Sequence, residues 1–418
     1  MVSIARKSIF SSGLLSLFVA LVLFTALRNL SSVYYVILFF FILIFGLTNL
    51  TKFFNFQRQA LVFYAFLYFS FFVVIWSFLY QRSLEPLIGI PRLLLMPLIA
   101  VMFARILQTR EDFSKVLRII LLCYVVGAFT LIYQFFFGAI PWFAEATGRS
   151  GLIRYSSILG SLTIFGAIVG YIIILLFSKY NLVQSQNLKV LFALITILAA
   201  AISLQKTAIL FLIISFGLLF LSNIFFYKKV ISLKFIFGTI VFILLLAVTI
   251  SLNDTIRNYF LSAFTIALGG IPFVDTSNVL NDTLGFWGDF NHRLLGFTLQ
   301  AIDYYGLTSI FFGVGLKGGA GIMGMDGISP HNALGDLFMM GGPIYLFIFL
   351  TLLWRVQIFL FKRRANFFDG TLFLLNLIFI VNLPVTAGTI FQPSLSIIFW
   401  VSVAYWMNHE PQRSKGII

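Results

Sequence analysis

Four short stretches of this 418-residue chain carry residue types that could do chemistry. Ser329-Pro330-His331-Asn332 leads into an apolar segment for which Asn332 is a plausible helix N-cap, fixing His331 at the helix mouth. A neutral imidazole there can take a proton from a hydroxyl near neutral pH. Asp336, one turn further on, could orient that imidazole from within the helix. Gly148-Arg149-Ser150-Gly151-Leu152-Ile153-Arg154 sets two arginines around glycines ahead of a predicted span. At a helix mouth, such a pair can hold phosphate oxygens through guanidinium and backbone N–H groups. Ser203-Leu204-Gln205-Lys206-Thr207 is a tight turn that leaves its lysine little room to retreat into water, which favours a counter-charge role. Asn291-His292-Arg293 supplies the remaining histidine–arginine pair. Each stretch taken singly has a plainer alternative. A histidine can simply decorate a helix start, arginines can snorkel to an interface, and a loop can carry a solvated polar cluster.

Two familiar chemistries are disfavoured. Gly313-Val314-Gly315-Leu316-Lys317-Gly318 fits the dinucleotide GxGxxG pattern letter for letter. That motif needs a strand–turn–helix unit in a soluble fold, so a turn in a surface loop is the expectation here. The chain has no HExxH, no Asp-x-Asp pair and no Cys/His cluster, so no metal site and no cofactor are expected. Phosphate chemistry would rest on arginine and lysine in place of a cation.

The elements that must position these groups are membrane spans. Hydrophobic residues make up 61% of the chain and charged ones 10%, which excludes an ordinary soluble domain. Hydropathy divides the sequence into about twelve apolar spans, at roughly 9–27, 33–50, 59–80, 93–107, 118–140, 156–178, 189–204, 207–226, 235–252, 333–354, 366–384 and 389–407. All are expected to be helices, because barrel-type alternation is absent and an open strand edge cannot be left in lipid. The whole of 1–418 reads as a single integral-membrane domain, with 253–332 as one large extracytoplasmic loop of roughly 80 residues. That loop is expected to carry one or two helices along the membrane surface.

With the N-terminus inside, 19 of the 28 basic residues fall on the cytoplasmic side. The inner side then holds four acids, and the outer side nine acids against nine bases, so the net charge of +15 is a topology signal. It faces anionic lipid, not nucleic acid. The nine outer bases are Arg28, Arg82, Arg92, Arg149, Arg154, Lys206, Arg257, Arg293 and Lys317. Cations kept outside against the insertion bias suggest an anionic ligand on that face.

The order of these pieces resembles the bacterial O-antigen polymerase/ligase family. The likeness is carried by His292-Arg293 through Asp303, Phe311-Phe312-Gly313-Val314-Gly315, His331-Asn332 and Gly341-Gly342. Gly148-Arg149-Ser150-Gly151 is similar to the family's arginine–glycine approach to a central helix, and Ser203–Thr207 to its Ser-Arg-Thr turn, with lysine where arginine is usual. The resemblance covers residues 148–345. It implies a GT-C-like all-α polytopic fold in the bacterial inner membrane, with the site on the periplasmic side. The implied reaction is en bloc transfer of a glycan from undecaprenyl pyrophosphate to an acceptor sugar hydroxyl. On that reading His331 is the base or the acceptor-orienting group, Asp336 orients it, Asn332 caps the helix that follows it, and His292 is a further candidate of the outer face. Arg154, Arg149, Arg293 and Lys206, then Arg257 and Arg92, serve the pyrophosphate. A polymerase is the expectation, with a chain-length regulator as candidate partner. A ligase to lipid A core is the alternative within the family, and a polysaccharide flippase or exporter the alternative outside it.

Overall fold

The computed structural model describes residues 12–29, 34, 36–38, 42, 60–81, 89–143, 147–149, 152–160, 164–203, 205–227, 311–316, 332–386 and 388–409. Among the described residues the protein is mostly helical, with four helices long and apolar enough to cross a membrane. In chain order the described elements are α1 (Ser12–Leu23), a 3-10 turn (Thr25–Asn29), α2 (Leu61–Gln81), α3 (Ile90–Ile106), α4 (Arg110–Phe137), β1 (Thr147–Arg149), β2 (Leu152–Arg154), α5 (Phe165–Phe177), α6 (Gln186–Ile202), α7 (Lys206–Phe225), α8 (Ala333–Lys362), α9 (Phe367–Asn382) and α10 (Pro393–His409). The four long helices are α2, α4, α7 and α8. The span expected at 235–252, and the expected loop 253–332 apart from 311–316 and Asn332, lie outside the described residues.

Local chemistry sets the helix ends. α4 starts with a capping box in which Thr109 and Asp112 satisfy each other's backbone N–H, and it stops at Gly138 with φ 92°. Ser185 caps α6, and Asn366 caps α9. α5 is buried along its whole length from Phe165 to Leu176, so it is a helix enclosed by other helices. Its 13 residues reach only about 20 Å at ~1.5 Å per residue. That is short of the roughly 30 Å hydrocarbon layer. The sequence expectation of a span beginning near residue 156 is therefore corrected: 156–160 is irregular backbone, and the helix begins at Phe165.

Aromatic rings fill much of the interior between α2, α8, α9 and α10. Phe66 stacks on Tyr345 at 5.1 Å, Phe379 on Phe399 at 4.7 Å, and Trp400 sits between Phe66 and Phe63. Ser70 and the Tyr345 hydroxyl share a 2.8 Å hydrogen bond there.

The helix ends gather at two poles. At one, Asp369 pairs with Arg110 at 3.5 Å and Arg363 at 3.4 Å. Arg110 also donates to the Tyr405 hydroxyl (3.1 Å), Arg363 to the His409 carbonyl (2.9 Å), and Asn408 to the carbonyls of Ala104 and Leu107. The other pole carries the β1–β2 hairpin. There the Ala26 N–H donates to the Ile158 carbonyl (3.1 Å), the Thr25 hydroxyl to that of Leu159 (2.5 Å) and the Gln134 amide to that of Ser156 (2.7 Å).

Candidate functional site

Two of the sequence candidates, Arg149 and Arg154, lie on the hairpin itself. β1 and β2 pair antiparallel, with Thr147 opposite Arg154 and Arg149 opposite Leu152. This register puts positions 149 and 154 on one face of the ladder. The expectation that both arginines sit at a helix mouth is corrected: they lie on a hairpin, and ten residues separate Arg154 from the start of α5. The polar, glycine-bearing stretch closes on itself as a strand pair, Thr147–Arg149 against Leu152–Arg154. Arg154 is half-buried.

Residues 155–160 tie this hairpin into the bundle. Gln134, a lone amide in the aromatic end of α4, reaches the Ser156 carbonyl, and the Thr130 hydroxyl accepts the Ile158 N–H at 3.2 Å. Gly160, at φ 130°, lies against Thr25, and a Cβ there would stand 3.9 Å from the Gln392 amide nitrogen. Gln392 belongs to the turn between α9 and α10, and the same turn is held from α8. Asp336 accepts the Gly388 N–H at 2.6 Å, and the Ala333 N–H donates to the Leu383 carbonyl at 2.9 Å. The chain of contacts thus runs from the hairpin, through Gly160 and the 388–392 turn, to the first turn of α8.

Asn332 caps α8 through a 2.7 Å bond to the Gly335 N–H, the role its position ahead of the apolar run predicts. Asp336 is buried, and its Oδ2 is committed to Gly388, so this oxygen anchors the α8 start to the neighbouring turn. At the Ser203–Thr207 turn the buried group is Gln205, whose Oε1 accepts the Gly166 N–H at 3.0 Å in the first turn of α5. Gly166 lets Thr207 approach: a Cβ there would stand 2.8 Å from that of Thr207. Lys206 is the first residue of α7, Arg92 lies in the first turn of α3 and Arg149 ends β1, each placed by backbone alone. His331, His292, Arg293 and Arg257 lie outside the described residues.

The stretch Gly313–Leu316 is another correction. Its glycine pattern predicts a turn in a surface loop, yet Val314 and Leu316 are buried and the segment lies against α8 and α2. Sequence reasoning also passes over Gln134, Thr25 and Gln205. The only signal for them is a polar side chain inside an apolar run, which near a helix end means a partner on another element.

Bases are more numerous at the ion-pair pole. Described charged residues at the hairpin end are Arg28, which is exposed, Arg92, Arg149, the half-buried Arg154, Lys206 and Asp336. Arg105, Arg110, Lys115, Lys179, Lys189, Lys362, Arg363 and Arg364 lie toward the ion-pair pole, with Glu111, Asp112 and Asp369. No protein-family model and no curated protein matches this chain.

Proposed function

We propose that this chain is a multi-pass inner-membrane glycosyltransferase that polymerises a surface polysaccharide, taking glycan from an undecaprenyl-pyrophosphate donor. One observation carries the reading. Of the stretches that resemble the O-antigen polymerase/ligase family, Gly313–Gly315 lies against the Gly341-Gly342 break of α8, and the start of that helix, which Asn332 caps, is linked through the 388–392 turn to Gly160 beside the hairpin. The larger number of bases at the opposite pole supports placing the hairpin pole outside, since bases are retained on the cytoplasmic side during insertion.

In this proposal the acceptor hydroxyl oxygen attacks the anomeric carbon of the donor as its proton passes to His331. The bond from that carbon to the phosphate oxygen breaks, and undecaprenyl pyrophosphate departs with the bonding pair. Arg154, Arg149, Arg293 and Lys206 offset the charge that develops there, with Arg257 and Arg92 in support. Asn332 and Asp336 hold the α8 start that follows the histidine in sequence. The lipid tail stays in the bilayer, so no soluble cofactor is required. The balance of nine outer acids against nine outer bases suits a repeat-unit acceptor better than a heavily anionic lipid A core.

The test is a gene deletion read on a polysaccharide gel. Loss of the long-chain ladder, with a single repeat still on its acceptor, is the expected result. Intact long chains accumulating on undecaprenyl pyrophosphate would make the protein a ligase. An unchanged ladder would remove it from the pathway.

A further inference from the structure

α8 is broken one-third of the way along, and what repairs the break lies outside the helix. Gly341 and Gly342 leave helical dihedrals, Gly342 at φ 70°, and residue 343 is proline. In an unbroken helix the Met339 carbonyl would accept the N–H of residue 343, but proline has none. The Val314 N–H takes its place at 2.6 Å, and the Gly315 N–H reaches the Met340 carbonyl at 3.1 Å. Two carbonyls at the break are thereby given partners from a distant segment.

That segment is pinned in turn by α2. The Trp76 indole N–H donates to the Gly313 carbonyl at 3.0 Å, and the Leu316 N–H donates to the Ser77 hydroxyl at 2.6 Å. Ser77 is fully buried and directs its own proton to the Val73 carbonyl at 2.6 Å, which leaves its oxygen free to accept. The fit admits no extra atoms. A Cβ on Gly313, at φ 71°, would stand 2.5 Å from the Met339 carbonyl oxygen and 2.6 Å from the Gly341 nitrogen, both backbone atoms. One on Gly342 would run into the Phe311 carbonyl.

We infer that residues 313–316 form a backbone clamp that aims the first turns of α8, residues 333–340, and that Ser77 and Trp76 are positioning residues acting through it. The clamp is a structural claim. Its service to catalysis rests on the glycan-transfer reading, in which the α8 start orients the acceptor side of the site. A helix broken at Gly341–Pro343 has no rigid connection to its own membrane half, so its direction comes from its outside contacts: the clamp at the break and the Leu383 and Gly388 anchors of its first turn. A misplacement of about 1 Å at such a site can cost on the order of 10²-fold in rate.

The test uses the full-length protein in detergent or liposomes, with Ser77→Ala, Ser77→Cys and Trp76→Phe. Hydrogen exchange read by mass spectrometry should show faster exchange over 313–316 and 333–342 in Ser77→Ala and Trp76→Phe, with 344–362 unchanged. Turnover with a lipid-linked glycan donor should fall by about 10–10²-fold in kcat with donor KM held. Ser77→Cys, which keeps a weak acceptor, should recover part of both signals. Unchanged exchange at 333–342, or faster exchange along the whole of α8, would overturn the clamp. Local loosening with normal kcat would overturn the positioning role. If the unaltered protein transfers no glycan, the exchange data still decide the clamp while the functional reading falls alone.

Discussion

The ion-pair pole should respond unequally to losing its acid and losing its bases. Asp369 has no exposed side-chain surface, whereas the side chains of Arg110 and Arg363 are 42% and 30% exposed. In Asp369→Asn, both guanidinium groups can turn toward water, and the two ion pairs that this removes are long ones of 3.4–3.5 Å. The cost should therefore be modest, about 1–2 kcal/mol. In Arg110→Met with Arg363→Met, a carboxylate remains buried without a counter-charge, which costs about 3–5 kcal/mol. Asp369 is the third residue of α9, and the helix dipole offsets only about 0.3–1 kcal/mol of that. The arginine pair should thus be the more damaging by roughly 2 kcal/mol, and adding Asp369→Leu to it should restore much of the stability. Thermal stability of the detergent-solubilised protein, followed by fluorescence-detected size-exclusion chromatography, gives the ranking. If Asp369→Asn melts as early as the double arginine variant, or if the triple variant is the worst of all, the buried-charge reasoning fails.

The remaining predictions concern the other pole and the topology. Arg154→Ala and Arg293→Ala should impair donor use, with lysine rescuing only in part, because a planar guanidinium grips pyrophosphate oxygens in a bidentate way. Measuring donor KM and kcat for each pair checks this, and full rescue by lysine would contradict it. The same activity should survive EDTA in a reconstituted assay; strict dependence on magnesium or manganese would show the leaving-group chemistry to be different. Reporter fusions at Lys229 and Asp282 should give opposite compartments, and two cytoplasmic signals would undo the assignment of the outer face. Gly313→Ala should be destabilised by about 1–2 kcal/mol from its left-handed backbone alone, before the clash with α8, so it should express poorly. Normal yield and melting temperature for that variant would contradict the close approach.

The helices are legible in the sequence as apolar runs, and Asn332, Thr109 and Asn366 mark the starts of α8, α4 and α9 much as local chemistry requires, whereas α5 begins after Ile164 with no side-chain cap. The hairpin is not legible. Six residues of paired strand carry too little alternation to stand out, and a short polar stretch before an apolar run looks the same whether it caps a helix or folds back. The clamp at 313–316 is hidden for a different reason. Its value lies in carbonyls released 25 residues later by Gly341–Pro343, and hydropathy does not register hydrogen bonds between backbone segments. Gln134 and Gln205 are visible as polar residues at the margins of apolar runs, but their partners, Ser156 and Gly166, can be named only once α4, α5 and α7 are packed.

Glycan transfer itself is tested most directly with purified protein in liposomes, supplied with undecaprenyl-pyrophosphate-linked repeat units and nothing else. The unaltered protein should release undecaprenyl pyrophosphate as longer glycans form. His331→Ala, inserted and folded to the same level, should lose about 10²–10⁴-fold in rate, the usual cost of removing a positioned base. His292→Ala should lose less. Release at the unaltered rate by His331→Ala, or no release by a well-folded parent protein, would contradict the account.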